Sequence, residues 1–375
     1  MSLTGSGAVV LMLLVNHSIS VGNVMVVERS EIVHLGWDDE WETVFQASGA
    51  KGEPGRLTRV ERGESDVDMG TGLRRAQSDS QRAQSEMAPV TGDWVTIVVE
   101  DGTDLIEQIL PRRTVLVRRD PGEKGEEQPL SANVDVVFLV HGFDRPLRPG
   151  KLERFLVLAW NAGARPVVVL AKSDLAQSDE IDDLVGVIGA VAPGVEVIVS
   201  STVTGQGLDE IGRMMQPNRS GTLLGESGAG KSTLVNKLLD DDVQETKPVR
   251  SGDAKGRHTT ITRDMLVLPA GGLLIDTPGI RAVGLWDAEE ALQQVFSDIT
   301  DLASECRFGD CAHGSEPGCA VAEAVAAGAI DSRRLDRYRA MTDELAELEA
   351  RAIERERSAD KRSGGKRRGG RGRRR

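Results

Sequence analysis

The sequence predicts three units in a row: a small β-barrel, a doubly wound α/β sheet, and a mostly helical metal-binding part. Three observations carry this expectation. Between residues 55 and 132, short β-prone runs are separated by turn breaks. From Val134 to about Leu285, compact apolar runs alternate with helical patterns. Beyond Asp287 the chain turns helical around a tight cluster of cysteines.

In the first unit the expected strands are Arg56–Val60, Asp93–Val99 and Val115–Arg118, enough for a small barrel over 55–132. The polar stretch Arg74–Glu86, rich in Ser, Gln and Arg, reads as a mobile loop interrupting them. Residues 1–54 are an N-terminal extension to which the sequence gives no role. Its apolar run Ala8–Val15 is too short to span a bilayer. It has no basic flank before it and no small-residue cleavage site after it, so neither a signal peptide nor a membrane partner is expected. The reading is cytoplasmic and monomeric, and a start at Met25 is compatible with it.

The second unit is expected over 133–286. Val134–Val140 and Val167–Leu170 are continuous apolar runs, as in parallel strands buried on both faces. Val195–Val199, Gly221–Leu224, Met265–Leu268 and Gly272–Ile275 are the other candidates. The third unit spans 287–357 and ends in a charged helix from Ser332 to about Arg357.

Composition sets limits. Of 375 residues, 39% are hydrophobic but only 3% aromatic, so the core must rest on Val, Ile and Leu. The net charge is -13, yet residues 361–375 hold nine Lys or Arg and no acid, leaving -22 on the rest. Residues 358–375 therefore read as a disordered basic tail on an acidic body, a segregation that suits contact with phosphate backbones.

The chemistry centres on Gly225-Glu226-Ser227-Gly228-Ala229-Gly230-Lys231-Ser232, which follows an apolar strand and continues through Thr233 into a helix. Glycines there let backbone amides turn inward around phosphate oxygens, and the helix N-terminus adds positive potential. Lys231 can neutralise β- and γ-phosphate charge, and Ser232 can ligate magnesium. Forty-four residues after Ser232, Asp276-Thr277-Pro278-Gly279 ends another apolar strand. An acid in that place needs a cation, which magnesium supplies, and Gly279 can offer its amide to a γ-phosphate. Between them, Thr259 or Thr260 can complete the magnesium shell, and His258 can place the attacking water.

Base recognition is expected earlier in the chain. Ala171-Lys172-Ser173-Asp174 caps the strand Val167–Leu170, and one carboxylate can accept both N1–H and the 2-amino group of guanine, a pair adenine lacks. Asp174 is placed for this, with the Lys172 stem packing on the ring. Ser201 and Thr202 open a second loop whose amides can face the guanine O6. Both base loops precede the phosphate loop, the reverse of the usual order in GTPases. A circular permutation accounts for this, and it sends the chain from the Asp276–Gly279 loop straight into the C-terminal unit.

The cysteines read Cys306-x4-Cys311-x-His313-x5-Cys319. Three thiolates and an imidazole make a closed tetrahedral zinc set of the structural kind.

With permuted order, barrel and Cys/His spacing together, the chain resembles the ribosome small-subunit-dependent GTPase A (RsgA) family over roughly 55–350. Further matching segments are Pro89–Val95, Ala132–Asp135, Gly256–Thr260 and Glu316–Val321. The resemblance implies an oligonucleotide-binding (OB) type barrel, a circularly permuted GTPase domain using GTP, GDP and Mg2+, and a zinc domain with one structural Zn2+. It also implies late maturation of the small (30S) ribosomal subunit, binding to its rRNA, and hydrolysis stimulated by that subunit. A hydrophobic residue stands after the switch glycine in that family, and Ile280 agrees. Ala171 departs from it, since Asn or Thr is usual there. Two rivals are an ATP-dependent kinase or ATPase, because a phosphate loop alone does not name the base, and a non-enzymatic RNA-binding module.

Overall fold

The computed structural model describes residues 29–78, 88–119, 127–239, 264–275 and 288–368. After two short 3-10 turns comes helix α1 (Asp39–Ser48), started by Asp38, whose carboxylate accepts from the Trp41 amide at 2.8 Å. Strands β1 (Glu53–Val60), β2 (Glu64–Asp68), β3 (Leu73–Gln77), β4 (Trp94–Glu100) and β5 (Thr103–Ile109) close into a barrel in the order β1-β2-β3-β5-β4. Closure removes the sheet edges, and Leu57, Val67, Ala76, Val95, Ile97 and Ile106 fill the inside.

Two expectations change here. Arg74–Gln77 belongs to β3 instead of a loop; residues 79–86 of that stretch lie outside the described residues. The run at Val115 is not a barrel strand: β6 (Val115–Arg119) pairs with β7 (Glu127–Ala132) as a separate antiparallel pair. The part of the extension that is described is also packed structure. Trp37 and Trp41 are buried against Trp94 of β4, with ring centroids 4.7 Å apart for Trp37 and Trp94.

The second unit adds β8 (Val136–Gly142), α2 (Pro149–Asn161), β9 (Arg165–Ala171), α3 (Ser178–Val191), β10 (Glu196–Val199), α4 (Leu208–Met214), β11 (Ser220–Gly225), α5 (Lys231–Leu238), β12 (Met265–Val267) and β13 (Leu273–Ile275). All six expected strands are present. They form one sheet in the order β10-β9-β8-β11-β13-β12, parallel except for β12. Period-two alternation sends Val137 and Leu139 to one core and Val136, Phe138 and Val140 to the other, both buried, as a doubly wound sheet requires.

The C-terminal unit comprises α6 (Glu289–Val295), α7 (Ser297–Ala303), α8 (Ala320–Ala326) and α9 (Ser332–Arg368). Its apolar residues Phe296, Ile299, Val321 and Leu335 join the core on the α2 side of the sheet. Helix α9 continues to Arg368, so residues 358–368 are helical where a disordered tail was expected.

Strand β1 seats the barrel on the sheet through two arginines. Arg56 is fully buried and donates to the carbonyls of Leu35, Gly92 (3.3 Å) and Asn133 (2.9 Å) and to Ser220 Oγ (3.3 Å). Burial lowers its pKa to about 10, still well above neutrality. Arg59 grips Asp264 with two bonds of 2.7 and 2.9 Å, beside a backbone bridge between the same residues.

Candidate nucleotide and metal sites

The nucleotide site lies at the carboxyl ends of β8, β9, β10 and β11, where an open parallel sheet places its ligands. Strand β11 delivers Gly225, whose φ is +155°; a Cβ there would come within 2.3 Å of the Val140 carbonyl oxygen, so no side chain fits. The loop Glu226–Gly230 then wraps into α5, whose first residues are Lys231, Ser232 and Thr233. Ala229 is buried under the loop, while Ser227, Gly228, Ser232 and Thr233 are exposed on the mouth of the site. Lys231 Nζ donates to the carbonyls of Gly225 (2.8 Å) and Glu226 (2.9 Å), which ties the two ends of the loop together. Glu226 pairs with Lys151 of α2, and that bond holds its carboxyl below the usual range.

The two base loops are tied together. Lys172 has left-handed backbone (φ 63°), which turns the chain so that Ser173 is buried and Asp174 exposed. Ser201 Oγ donates to Asp174 Oδ1 at 2.5 Å, and Ser173 Oγ donates to Gln206 Oε1 at 2.9 Å. Ser201 Oγ also accepts from the amides of Val203 (3.1 Å) and Thr204 (3.2 Å), fixing the second loop, while Thr202 sits half-buried at its turn. Lys172 Nζ reaches across to Gly228 O at 2.8 Å, so base loop and phosphate loop form one continuous wall. Ala171 is buried at the end of β9, opposite Gly142 in register.

His258, Thr259, Thr260, Asp276, Gly279 and Ile280 lie outside the described residues. Ile275, the residue before Asp276, ends β13 opposite Thr222 of β11, and Thr222 Oγ1 donates to its carbonyl at 2.9 Å.

Sequence reasoning missed Asp144, Arg145 and Lys151. Asp144 bonds Lys172 Nζ (2.8 Å) and the Arg145 guanidinium (3.0 and 3.2 Å). The Arg145 and Lys172 bonds hold its carboxyl far below the ordinary range. The signal was available: charged residues directly after the apolar run of a central parallel strand fall at the sheet's ligand edge.

The second site is the cysteine cluster. Cys306 Sγ and Cys319 Sγ are each 3.6 Å from His313 Nδ1 and 3.7 Å from one another, and all four donor atoms lie within 4.8 Å. Zinc–sulfur bonds of about 2.3 Å in a tetrahedron put sulfurs about 3.8 Å apart, so a metal ion fits. Glu316 braces the loop by accepting from the amides of Ala312 (3.2 Å) and Gly314 (2.6 Å), and His313 adopts a left-handed φ of 58° to face the sulfurs.

A phosphate loop between β11 and α5, with the loops after β9 and β10 earlier in sequence but adjacent in space, defines a circularly permuted P-loop nucleoside triphosphatase. Comparison with known proteins makes this particular. The RsgA GTPase family model matches residues 109–286. A small ribosomal subunit biogenesis GTPase RsgA from Streptomyces avermitilis is 46% identical over 316 residues, 84% of this chain and 85% of the relative. The protein of that name from Methanosarcina acetivorans is 40% identical over 330 residues, covering 86% and 89%. Among solved structures, YjeQ from Thermotoga maritima superposes with a TM-score of 0.60 at 27% identity, covering 78% of this chain and 98% of that one. YloQ, a circularly permuted GTPase, shares the fold with a TM-score of 0.56 at 23% identity, covering 80% and 96%. The chain belongs to the RsgA GTPase family. It is therefore a GTP hydrolase, and the family implies GTP, GDP and magnesium as its ligands. No described helix is long and apolar enough to cross a membrane.

Proposed function

We propose that the chain hydrolyses GTP as a late assembly factor of the small ribosomal subunit, binds that subunit's rRNA as a monomer in the cytoplasm, and is stimulated by it. The observation that supports this best is the continuity of the site: Asp174, aligned by Ser201, stands on a loop whose Lys172 is bonded to Gly228 of the phosphate loop. Base selection and phosphate binding are then one event. Lys231 neutralises charge on the β- and γ-phosphates, Asp174 selects guanine, and Gly279 senses the γ-phosphate. Ser232, Asp276 and Thr259 or Thr260 would hold magnesium, which neutralises phosphate charge when bound. His258 orients the attacking water. Catalysis of this kind is positional and electrostatic.

The association with the small subunit rests on the names of the relatives, several of which are called small ribosomal subunit biogenesis GTPases. The barrel and the basic end of α9 are the proposed rRNA contacts. The Cys3His set would take one structural zinc per chain.

Phosphate release from GTP, measured with and without purified small subunits, tests the reading. A slow basal rate that rises on adding subunits, and that GDP but not ATP suppresses, is the expected outcome. RNA affinity without any turnover would return the chain to a binding module, and ATP competing as well as GTP would remove the guanine assignment.

A further inference from the structure

Four consecutive carbonyls of the phosphate loop are each bonded to a cation. Lys231 takes those of Gly225 and Glu226, Lys172 takes that of Gly228 at 2.8 Å, and Arg145 Nη1 takes that of Ser227 at 2.8 Å. A peptide that turns its oxygen outward turns the amide of the following residue inward, toward the phosphates. Lys231 and Lys172 belong to the expected nucleotide machinery, but Arg145 does not. It comes from the connection between β8 and α2, which no motif marks. Its other Nη lies 3.0 Å from where a Cβ on Gly228 would stand, and Gly228 has a left-handed φ of 80°, so the guanidinium occupies the space a side chain would have filled. Asp144 orients this guanidinium through Nε and Nη2, at 3.2 and 3.0 Å, and binds Lys172 Nζ with the same carboxylate.

We infer that Arg145 is a positioning residue of the nucleotide site: by holding the Ser227 carbonyl outward it presets the phosphate loop to receive the β-phosphate. Asp144 makes this possible by sharing its charge between Arg145 and Lys172, so two cations approach the loop without repelling one another. This deepens the reading of the site as a GTPase pocket and rests on it. The effect concerns the β-phosphate because the Gly228 amide, on the peptide that Arg145 holds, lies in the middle of the cradle, while the Ala229 amide is donated to the Glu226 carbonyl at 3.2 Å. The base contacts of Asp174 lie on another loop and are untouched.

The test is equilibrium binding of GDP, GTP and GMP to wild type, Arg145→Gln, Arg145→Lys and, as a control, Lys231→Ala. The expected result for Arg145→Gln is GDP and GTP weakened about tenfold, near the worth of one charge-assisted hydrogen bond, with GMP changed less than twofold. Arg145→Lys, which keeps a donor for the Ser227 carbonyl, should recover most of the loss. GDP affinity equal to wild type in Arg145→Gln overturns the inference. So does an equal loss for GDP and GMP, because the residue would then act through Lys172 or through general stability. Thermal melts of both variants accompany the titrations, and the Arg145→Lys rescue keeps the decision open should Arg145→Gln prove unstable. Wild type that fails to bind GDP, or Lys231→Ala that binds it normally, would instead sink the GTPase pocket itself.

Discussion

Glu153 of α2 and Arg334 of α9 form a buried ion pair at 3.0 Å, with side chains 0% and 6% exposed. Arg337 adds two more bonds to the same carboxylate, at 2.6 and 2.9 Å. Arg334 also reaches Asp298 and the carbonyls of Val191 and Val295, so α9 is fastened to α2, α3, α6 and α7 at one point. Because α2 also carries Lys151 to Glu226, this helix touches the phosphate loop at one end and the C-terminal unit along its side. A buried charge stripped of its partner is costly. Glu153→Ala should lower stability by about 3 kcal/mol, the lower end of the roughly 3–5 kcal/mol lost when a buried pair is broken, because Arg334 keeps Asp298. Urea unfolding would read this as a lower midpoint with an unchanged slope. A midpoint equal to wild type would show that the pair contributes nothing net.

Asp174 is exposed, one of its oxygens is engaged by Ser201, and Ser201 is itself fully buried. The carboxylate is thus aimed before any base arrives. Asp174→Asn should weaken GTP by about 2 kcal/mol, the worth of hydrogen bonds to a charged group. It should favour XTP in return, because the amide can donate to the 2-oxo group of xanthine. Competition titrations with both nucleotides check this, and unchanged affinities for both would take base reading away from Asp174.

Ala171 stands where the resemblance to the RsgA family leads to the expectation of Asn or Thr. Its methyl group lies 3.7 Å from where a Cβ on Gly230 would stand, close to the phosphate loop. An amide at 171 would reach polar groups that a methyl cannot. Ala171→Asn is expected to tighten GDP by about 1 kcal/mol, near one hydrogen bond. Calorimetry showing no gain would mean that the Lys172 to Gly228 bond already supplies the needed order.

Where the sequence was legible, burial was two-sided. Val136–Val140 and Val167–Leu170 are apolar on both faces, so they stand out as runs and their edges fell within one or two residues. Strands β2 (ESDVD) and β3 (LRRAQ) left no such trace. They place one or two apolar residues inside the barrel and are laced outside by Arg75 with Glu61, Glu64 and Asp66, and by Arg74 with Asp104. Such charges read as loop when the partner strand is unknown. The same bias ended α9 early, since no large apolar residue follows Ile353 and the rest of the helix is polar and Gly-containing. The phosphate and base loops were legible because their chemistry is local. Arg145 was not, because its meaning depends on Ser227, 82 residues away.

The Cys3His cluster gives the last prediction. The segment from Phe296 to Ile330 holds two helices of 7 residues, α7 and α8, joined by a loop of turns, too little regular structure to set its own geometry. Cys319 begins α8, where its sulfur accepts from the Ala322 amide at 3.3 Å, and Arg307 donates its amide to the Gly318 carbonyl at 3.0 Å. These contacts close the loop through a single backbone bond and orient the donors, whereas a metal would tie Cys306, Cys311, His313 and Cys319 together. Elemental analysis of protein purified without chelators should therefore find one zinc per chain, and none after Cys311→Ser. Folding free energy in small metal-bound segments comes largely from the metal, so Cys311→Ser or chelation should make residues 304–319 sensitive to protease. GDP affinity should stay within about twofold, because Lys172 and Asp174 directly follow β9 and Lys231 opens α5 after β11, so they draw their order from the sheet. Zinc-free protein with an equally resistant loop would show that Glu316 and the core contacts of Cys319 suffice. Loss of GDP binding together with the metal would show instead that the C-terminal unit shapes the pocket through α2.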